Sequence, residues 1–359
     1  MSNNILKKLK IKYTNNNNNN NISNINNNNN NNNNLNISYN NEIQNEILKK
    51  IEKIQIADSQ NPQKIHIITI DRLANILGMV GVKYHKEIFN PEKFLPWECI
   101  SICESDMLKY ITNDENKEKL ISYCQRSFLK IYPDGFRVNS FNQNPVLCWG
   151  LGCQFCALNI QTTEDDMILL NKMFFKTNGG SKCGYVLKPE YMRQFDKDKF
   201  YKFIRNRKYR IKFKILSGFH LHLTIPKKEK ITGMFIEVSL ITPRNYLNSY
   251  NNNNNNNNGF NFYDLKGFNK EVKLVTNIIN NNFLHPIWES NSVLFDIYEP
   301  ELSFFIVKLM GKKKNICLAR AVIPVSTINF GYRVLEIYDK TCTKFDESYL
   351  IIKVNKIFC

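Results

Sequence analysis

The chain has 359 residues, a length of about two domains. Its 43% hydrophobic and 12% aromatic content supplies a sizeable core once the asparagine runs are set aside, which excludes a wholly unstructured chain. Lys plus Arg is 49 against 32 for Asp plus Glu, a net +17. That balance suits a polyanionic partner or simply a well-solvated surface, and no RNA- or DNA-binding signature accompanies it. An anionic lipid face is therefore the expected partner, and no nucleic acid is expected.

Residues 1–41 are dominated by asparagine, with runs at Asn15–Asn21 and Asn26–Asn34. Such a segment buries too little apolar surface to offset its ordering entropy, so the sequence predicts a disordered tail. The opening residues lack a long apolar stretch of the kind found in signal peptides, and no run reaches membrane-spanning length. Residues 42–81 read as a lead-in. Ile43, Ile47, Leu48, Ile51 and Ile54 recur at helical spacing, Asp58 to Pro62 breaks the pattern, Ile65 to Ile70 reads as a strand, and Asp71 to Met79 as a helix.

From residue 82 to 200 the grammar becomes strand, loop, helix, strand, which predicts parallel β/α units. Ser101 to Tyr123 is charged and helix-capable. Three short apolar runs each end on a polar or proline stop: Lys130 to Pro133, Ala157 to Thr162, and Gly184 to Pro189. Asp134-Gly135 marks a turn. Cys153 and Cys156 form a CxxC with no second pair and no neighbouring histidine, so they read as apolar filler in a buried strand of a reduced, cytosolic protein. Glu164-Asp165-Asp166 lacks the alternating spacing of a calcium loop and reads as a solvated acidic turn.

From 205 to 359 strands alternate in the half-buried manner, at Arg210 to Gly218, Met234 to Leu240, Ser292 to Ile297, Leu302 to Leu309, Arg333 to Tyr338 and Tyr349 to Lys356. The pattern predicts an antiparallel β-sandwich with the asparagine run 251–258 as a loop between strands. His220 and His222 are expected side by side on one strand face, as a metal pair or as part of an exposed sheet.

Several of these stretches together resemble phosphoinositide-specific phospholipase C. Lys130-Ile-Tyr-Pro-Asp-Gly-Phe-Arg-Val-Asn-Ser140, Gly152-Cys153-Gln154 running into Ala-Leu-Asn-Ile-Gln-Thr, and Asn178-Gly179-Gly180 before Gly-Tyr-Val-Leu-Lys-Pro are similar to that family's Y-box, in the same order. Leu95-Pro96-Trp97-Glu98 and Ile100-Ser-Ile-Cys-Glu104 extend the match upstream. Ile215 to Gly218, His285 to Glu289, Pro300 to Leu302 and Gly331 to Arg333 resemble the C2 domain that follows it. The resemblance implies half of a TIM-like barrel followed by a C2-like sandwich, hence a calcium-dependent phosphoinositide hydrolysis carried out at the cytoplasmic face of a membrane. In that family the catalytic histidines and calcium ligands lie on the other barrel half, the X-box, and nothing in these 359 residues matches it. The expectations are therefore no catalytic residue and no bound metal in this chain. Calcium would sit at an X-half, either on a partner protein carrying an X-box or in sequence beyond this chain.

What the resemblance leaves here is substrate binding and membrane docking. Ser101 falls at a serine that bonds an inositol phosphate, Lys130 where an arginine is usual, and Tyr132 where a tyrosine packs on the inositol ring. Lysine keeps the charge but loses the two-pronged fork, so a weaker and less directional phosphate grip is expected. Leu108 and Phe136 fall on an apolar ridge that touches the bilayer. The C2 loops carry lysines, Lys227, Lys228 and Lys230 in the first and Lys312, Lys313 and Lys314 in the third, where calcium carboxylates would stand. They either attract an anionic leaflet directly or keep a sandwich edge soluble. A purely membrane- or inositide-binding module without turnover is the alternative to an enzyme component.

Overall fold

The computed structural model describes residues 78–82, 95–111, 114–135, 137, 140–161, 165–177, 184–194, 196, 206–243, 272–312 and 316–358. All of them belong to one compact unit, Leu77–Cys359. The expected asparagine-rich tail, most of the lead-in helix and strand, and the loop 251–258 lie outside the described residues.

The first layer is a parallel sheet of four strands in the order β1 (Val80–Val82), β2 (Glu98–Cys103), β3 (Phe128–Tyr132) and β4 (Phe155–Cys156). Alternation sets its two faces. Ile100 and Ile102 of β2 and Leu129 and Ile131 of β3 are buried, while Ser101, Lys130 and Tyr132 point the other way and are exposed. The buried side is covered by helices α1 (Glu104–Ile111) and α2 (Asp114–Arg126), which contribute Met107, Leu120, Ile121 and Cys124 to the same core. α3 (Pro145–Gly150) follows, capped by Asn144, whose side chain accepts from the Val146 N–H at 2.9 Å. Gln154 fastens β4 to its neighbours, accepting from the Leu129 N–H at 3.0 Å and donating to the Cys124 and Ser127 carbonyls.

Three local expectations are corrected. Ser101 lies on β2, and the helices begin only at Glu104, where Glu104 and Asp106 favour a helix N-terminus. Of the run around Ala157, only Phe155 and Cys156 pair, with Lys130 and Ile131. Gly184 to Pro189 is extended but is no strand: Tyr185 and Leu187 stand exposed, and Val186 and Leu187 make no hydrogen bond among the described residues.

The second layer is antiparallel: β5 (Tyr209–Phe219), β6 (Gly233–Ile241), β7 (Lys273–Val275), β8 (Ile279–Asn280), β9 (Val293–Ile297), β10 (Phe304–Gly311), β11 (Ile316–Pro324), β12 (Gly331–Tyr338) and β13 (Lys344–Ile357). The order is β7-β6-β10-β11-β12-β13-β5-β9, with β8 on β6. β11 and β12 meet at the single pair Arg320–Tyr338, so the ribbon folds there into two facing layers around Phe213, Phe295, Phe305, Ile236, Leu309 and Ile352. This is a C2-like sandwich. His220 and His222 do not share a strand face. His220 takes a left-handed conformation (φ 51°) that ends β5, and His222 sits in the short 3₁₀ turn after it.

The two layers pack directly. α4 (Asp166–Thr177) lies against the β10 and β11 side, and Trp149 of α3 stacks on Phe174 with ring centroids 4.1 Å apart, beside Phe304. Asp165 and Asp166 of the acidic turn are not solvated, contrary to expectation, and Glu164 lies outside the described residues. Asp165 is buried and caps α4 by accepting from the Met167 N–H at 2.9 Å, while Asp166 pairs with Lys308 and with the buried Arg320. A Cβ placed on Gly150 would meet the Pro243 Cβ at 2.5 Å. Gly150→Ala should therefore lower stability by about 1–3 kcal/mol despite alanine's better helix propensity. Urea denaturation of the two proteins checks this, and an unchanged midpoint would mean that the seam yields freely.

Candidate functional site

Parallel pairing places the three expected substrate-binding residues on one face. Ser101 is directly opposite Lys130, and Cys103 opposite Tyr132, so serine, lysine and tyrosine line the open side of β2 and β3 toward their C-terminal ends. In open parallel α/β sheets the carboxyl ends of the strands are where ligands gather. Lys130 is exposed and makes no ion pair among the described residues, leaving its ammonium available to an anion. Partial burial pushes the Tyr132 phenol up, with Cys103, Asp106 and Asp134 adding to the effect, so it remains a neutral ring and hydroxyl at physiological pH.

The loop after β3 is tied to the start of α1. Arg137 grips Glu104 through two bonds, Nε at 2.8 Å and Nη2 at 2.5 Å, and the Ser105 hydroxyl donates to Asp134 at 2.9 Å. Burial draws the Arg137 guanidinium down, and Glu104 outweighs it and holds the pKa above the ordinary arginine range. Arg137 is thus spent on fixing the loop, while Lys130 faces outward on β3 with no ion-pair partner among the described residues. No local pattern signals the Arg137–Glu104 pairing, because the partners are 33 residues apart.

A cleft of about 760 Å³ adjoins Lys130. It lies between β4 and the extended Gly184 to Pro189 segment and is lined by Phe128, Phe155, Val186 and Leu187 among others. Lys188 closes its base, donating to the Cys124 carbonyl at 2.6 Å, and burial pulls its pKa down against the neighbouring thiols. Cys153 is buried, its sulfur within hydrogen-bond reach of the Leu129 and Phe155 carbonyls, and burial raises its pKa well above the usual thiol range. Cys156 receives the Gln143 amide at 3.2 Å. No group of three or more histidine, cysteine or carboxylate side chains poised to hold a metal occurs among the described residues.

Of the expected membrane contacts, Leu108 is half-buried against the helix-side core, and Phe136, Lys313 and Lys314 lie outside the described residues. Lys227, Lys228 and Lys230 are exposed in the β5–β6 loop, and Lys312 is exposed after β10. These loops meet at one end of the sandwich, where the Lys312 N–H donates to the Gly233 carbonyl at 2.8 Å and the Asn281 N–H to Thr232 at 3.3 Å. Leu223, in the 3₁₀ turn after β5, and Leu284, between β8 and β9, stand exposed as well, apolar side chains that sequence reading missed. Leu223 was hidden because the His-Leu-His-Leu stretch reads as a continuing strand. His220 and His285 both stack near Phe219, at 4.0 and 4.5 Å. No helix among the described residues is long and apolar enough to cross a membrane.

The family model "Phosphatidylinositol-specific phospholipase C, Y domain" matches residues 73–191. The chain is 29% identical over 266 residues to the 1-phosphatidylinositol 4,5-bisphosphate phosphodiesterase gamma plc-3 of Caenorhabditis elegans, covering 72% of this chain and 17% of that one. It is 32% identical over 222 residues to the human gamma-2 enzyme of the same name, covering 60% of this chain and 15% of that one. The rat delta-1 enzyme is 26% identical over 267 residues, covering 72% of this chain and 31% of that one. The chain thus spans under a third of the length of these curated relatives. Among solved structures, PLC21 of S. officinalis superposes with a TM-score of 0.64 at 24% identity, over 86% of this chain and 36% of that one, which shows a shared fold. The Y-domain match covers the parallel sheet and its open face, and there the chain is similar to the phosphoinositide-specific phospholipase C family.

Proposed function

We propose that this chain supplies the substrate-gripping and membrane-docking half of a phosphoinositide phospholipase C. The observation that carries the reading is the register placing Ser101 beside Lys130, two residues before Tyr132, on the open face of a four-stranded parallel sheet. In this reading the sheet is half of a TIM-like barrel, and the Ser101 hydroxyl and Lys130 ammonium hold a phosphate of the inositol headgroup while Tyr132 packs on its ring. Diester cleavage also needs a base for the attacking hydroxyl, an acid for the leaving group and relief of phosphate charge. Those come from a complementary X-half carrying histidines and calcium. The sheet face and the edges that carry no partner strand among the described residues are where that half would seat, since unpaired edges are costly to leave open. The exposed lysines of the sandwich loops, with Leu223 and Leu284, would hold the assembly on an anionic leaflet at the inner face of a membrane.

The test is to mix the purified chain with a polypeptide carrying an X-half, add calcium, and follow inositol phosphate release from phosphoinositide vesicles. Release by the mixture and none by the chain alone is the expected result. Cleavage by the chain alone would overturn the proposal. A second reading, a binding module without turnover, is favoured by Lys312 in the loop where calcium carboxylates would be needed. It predicts calcium-independent, salt-sensitive vesicle binding and a mixture that releases nothing.

A further inference from the structure

The outer face of the β12-β13-β5-β9 layer carries lysines with no ion-pair partner among the described residues. Lys214 of β5 is directly opposite Lys353 of β13, which is in turn opposite Tyr332 of β12. In the next row Lys212 lies between Asn355 and Leu294. Two like charges directly opposed across antiparallel strands oppose pairing. Lys353 rests its ammonium over the Tyr332 ring at 4.6 Å and donates to its hydroxyl at 3.1 Å. Lys212, Lys214 and Lys353 make no ion pair among the described residues. The acidic groups on the face are placed elsewhere. Asp296 is held by Arg207 and Arg210 at 3.1 and 2.8 Å, Glu336 is held by Lys344 at 3.5 Å, and Glu347 lies beyond Tyr349 toward the far end of β13. Around the lysines stand apolar and aromatic side chains open to solvent, with Tyr332 and Val334 each 64% exposed and Leu294 44% exposed.

We propose that this sheet face is a second lipid-contacting surface, one that lies on an anionic phospholipid bilayer. The lysines and the exposed apolar groups are spread across four strands rather than gathered round one point, as a site for a single headgroup would need. Its cations stand among exposed tyrosine and aliphatic groups, a mixture suited to the headgroup level of a bilayer. An acidic polypeptide would use the charge but would leave Val334 and Leu294 without a partner. The inference rests on the lipid surface invoked above for the loop lysines, but on different residues.

The experiment uses the full chain and sedimentation with phosphatidylserine-containing vesicles against pure phosphatidylcholine. At about five-fold per lysine, the variant Lys212→Glu/Lys214→Glu/Lys353→Glu should lose about a hundred-fold or more in partitioning onto the anionic vesicles. Tyr332→Trp, in the otherwise native chain, should shift its emission to the blue on anionic vesicles and not on neutral ones, a readout that survives even where the reversal variant fails to fold. Undiminished binding by a folded reversal variant overturns the inference. So does an emission shift produced by polyglutamate and not by vesicles. If Lys227→Ala/Lys228→Ala/Lys230→Ala alone abolishes binding, the sheet-face inference fails and the loop docking stands. If the native chain binds no anionic vesicle, both fail.

Discussion

Asp166→Ala is expected to destabilise the folded unit by about 3–5 kcal/mol, the usual cost of removing one partner from a buried ion pair. Arg320 is only 3% exposed and Asp166 lies within 3.3 Å of it, so deletion of the carboxylate strands a guanidinium that cannot reach water. Its second nitrogen would keep the Lys340 carbonyl at 2.9 Å, which offsets only part of the loss. Lys308 shares the same carboxylate, and its position in β10 makes the cluster a joint between α4 and the sandwich. Burial draws the Lys308 pKa down, but Asp166 outweighs it, and the net shift is upward. A raised lysine pKa stabilises the fold fully below the ordinary lysine value, and that contribution is lost as pH climbs through the folded value. The native protein should therefore weaken in alkali more steeply than Asp166→Ala. Urea midpoints at neutral and alkaline pH measure both effects, and a midpoint in Asp166→Ala equal to the native one would show that the joint is unimportant.

Lys130→Glu carries the largest functional effect. A charge-assisted bond to phosphate contributes about 1.5–3 kcal/mol, and reversal replaces attraction by repulsion. Affinity for a soluble inositol phosphate headgroup should fall about ten- to a hundred-fold or more by calorimetry. Lys130→Arg should match or exceed the native affinity, because the planar fork engages two phosphate oxygens where an ammonium is a point charge. The side chain is exposed, so neither change should alter the urea midpoint by more than about 0.5 kcal/mol. Equal headgroup binding by all three proteins would remove Lys130 from the site.

Period-two alternation made β5, β6 and β13 legible in the sequence, because each buries one face and wets the other. β11 was missed for the opposite reason. Leu318 to Val322 is buried on both faces, with Arg320 inside, so no alternation survives. α4 escaped notice because Leu169, Leu170 and Phe174 are buried while Met173 and Phe175 are half-buried, leaving no clean polar stripe. Asp165 and Asp166 read as solvated because the residue that answers Asp166, Arg320, lies 154 positions away. Gly184 to Pro189 has the composition of a strand, yet pairing needs a neighbour and composition does not supply one. As for the candidate site, the residue types came from family resemblance. Their side-by-side placement came from the parallel register of β2 and β3, which no local pattern encodes.

The single rung between β11 and β12 bears on how the sandwich breathes. A ladder held at Arg320 and Tyr338 alone gives the two halves separate amide-exchange behaviour, since sub-global opening follows the weakest seam. β10 and β6, paired along eight positions, belong to one slowly exchanging block, and β13 and β5 to another. Because Arg320 is also the residue that Asp166 neutralises, one residue holds the hinge of the sandwich by its backbone and the clasp to α4 by its side chain.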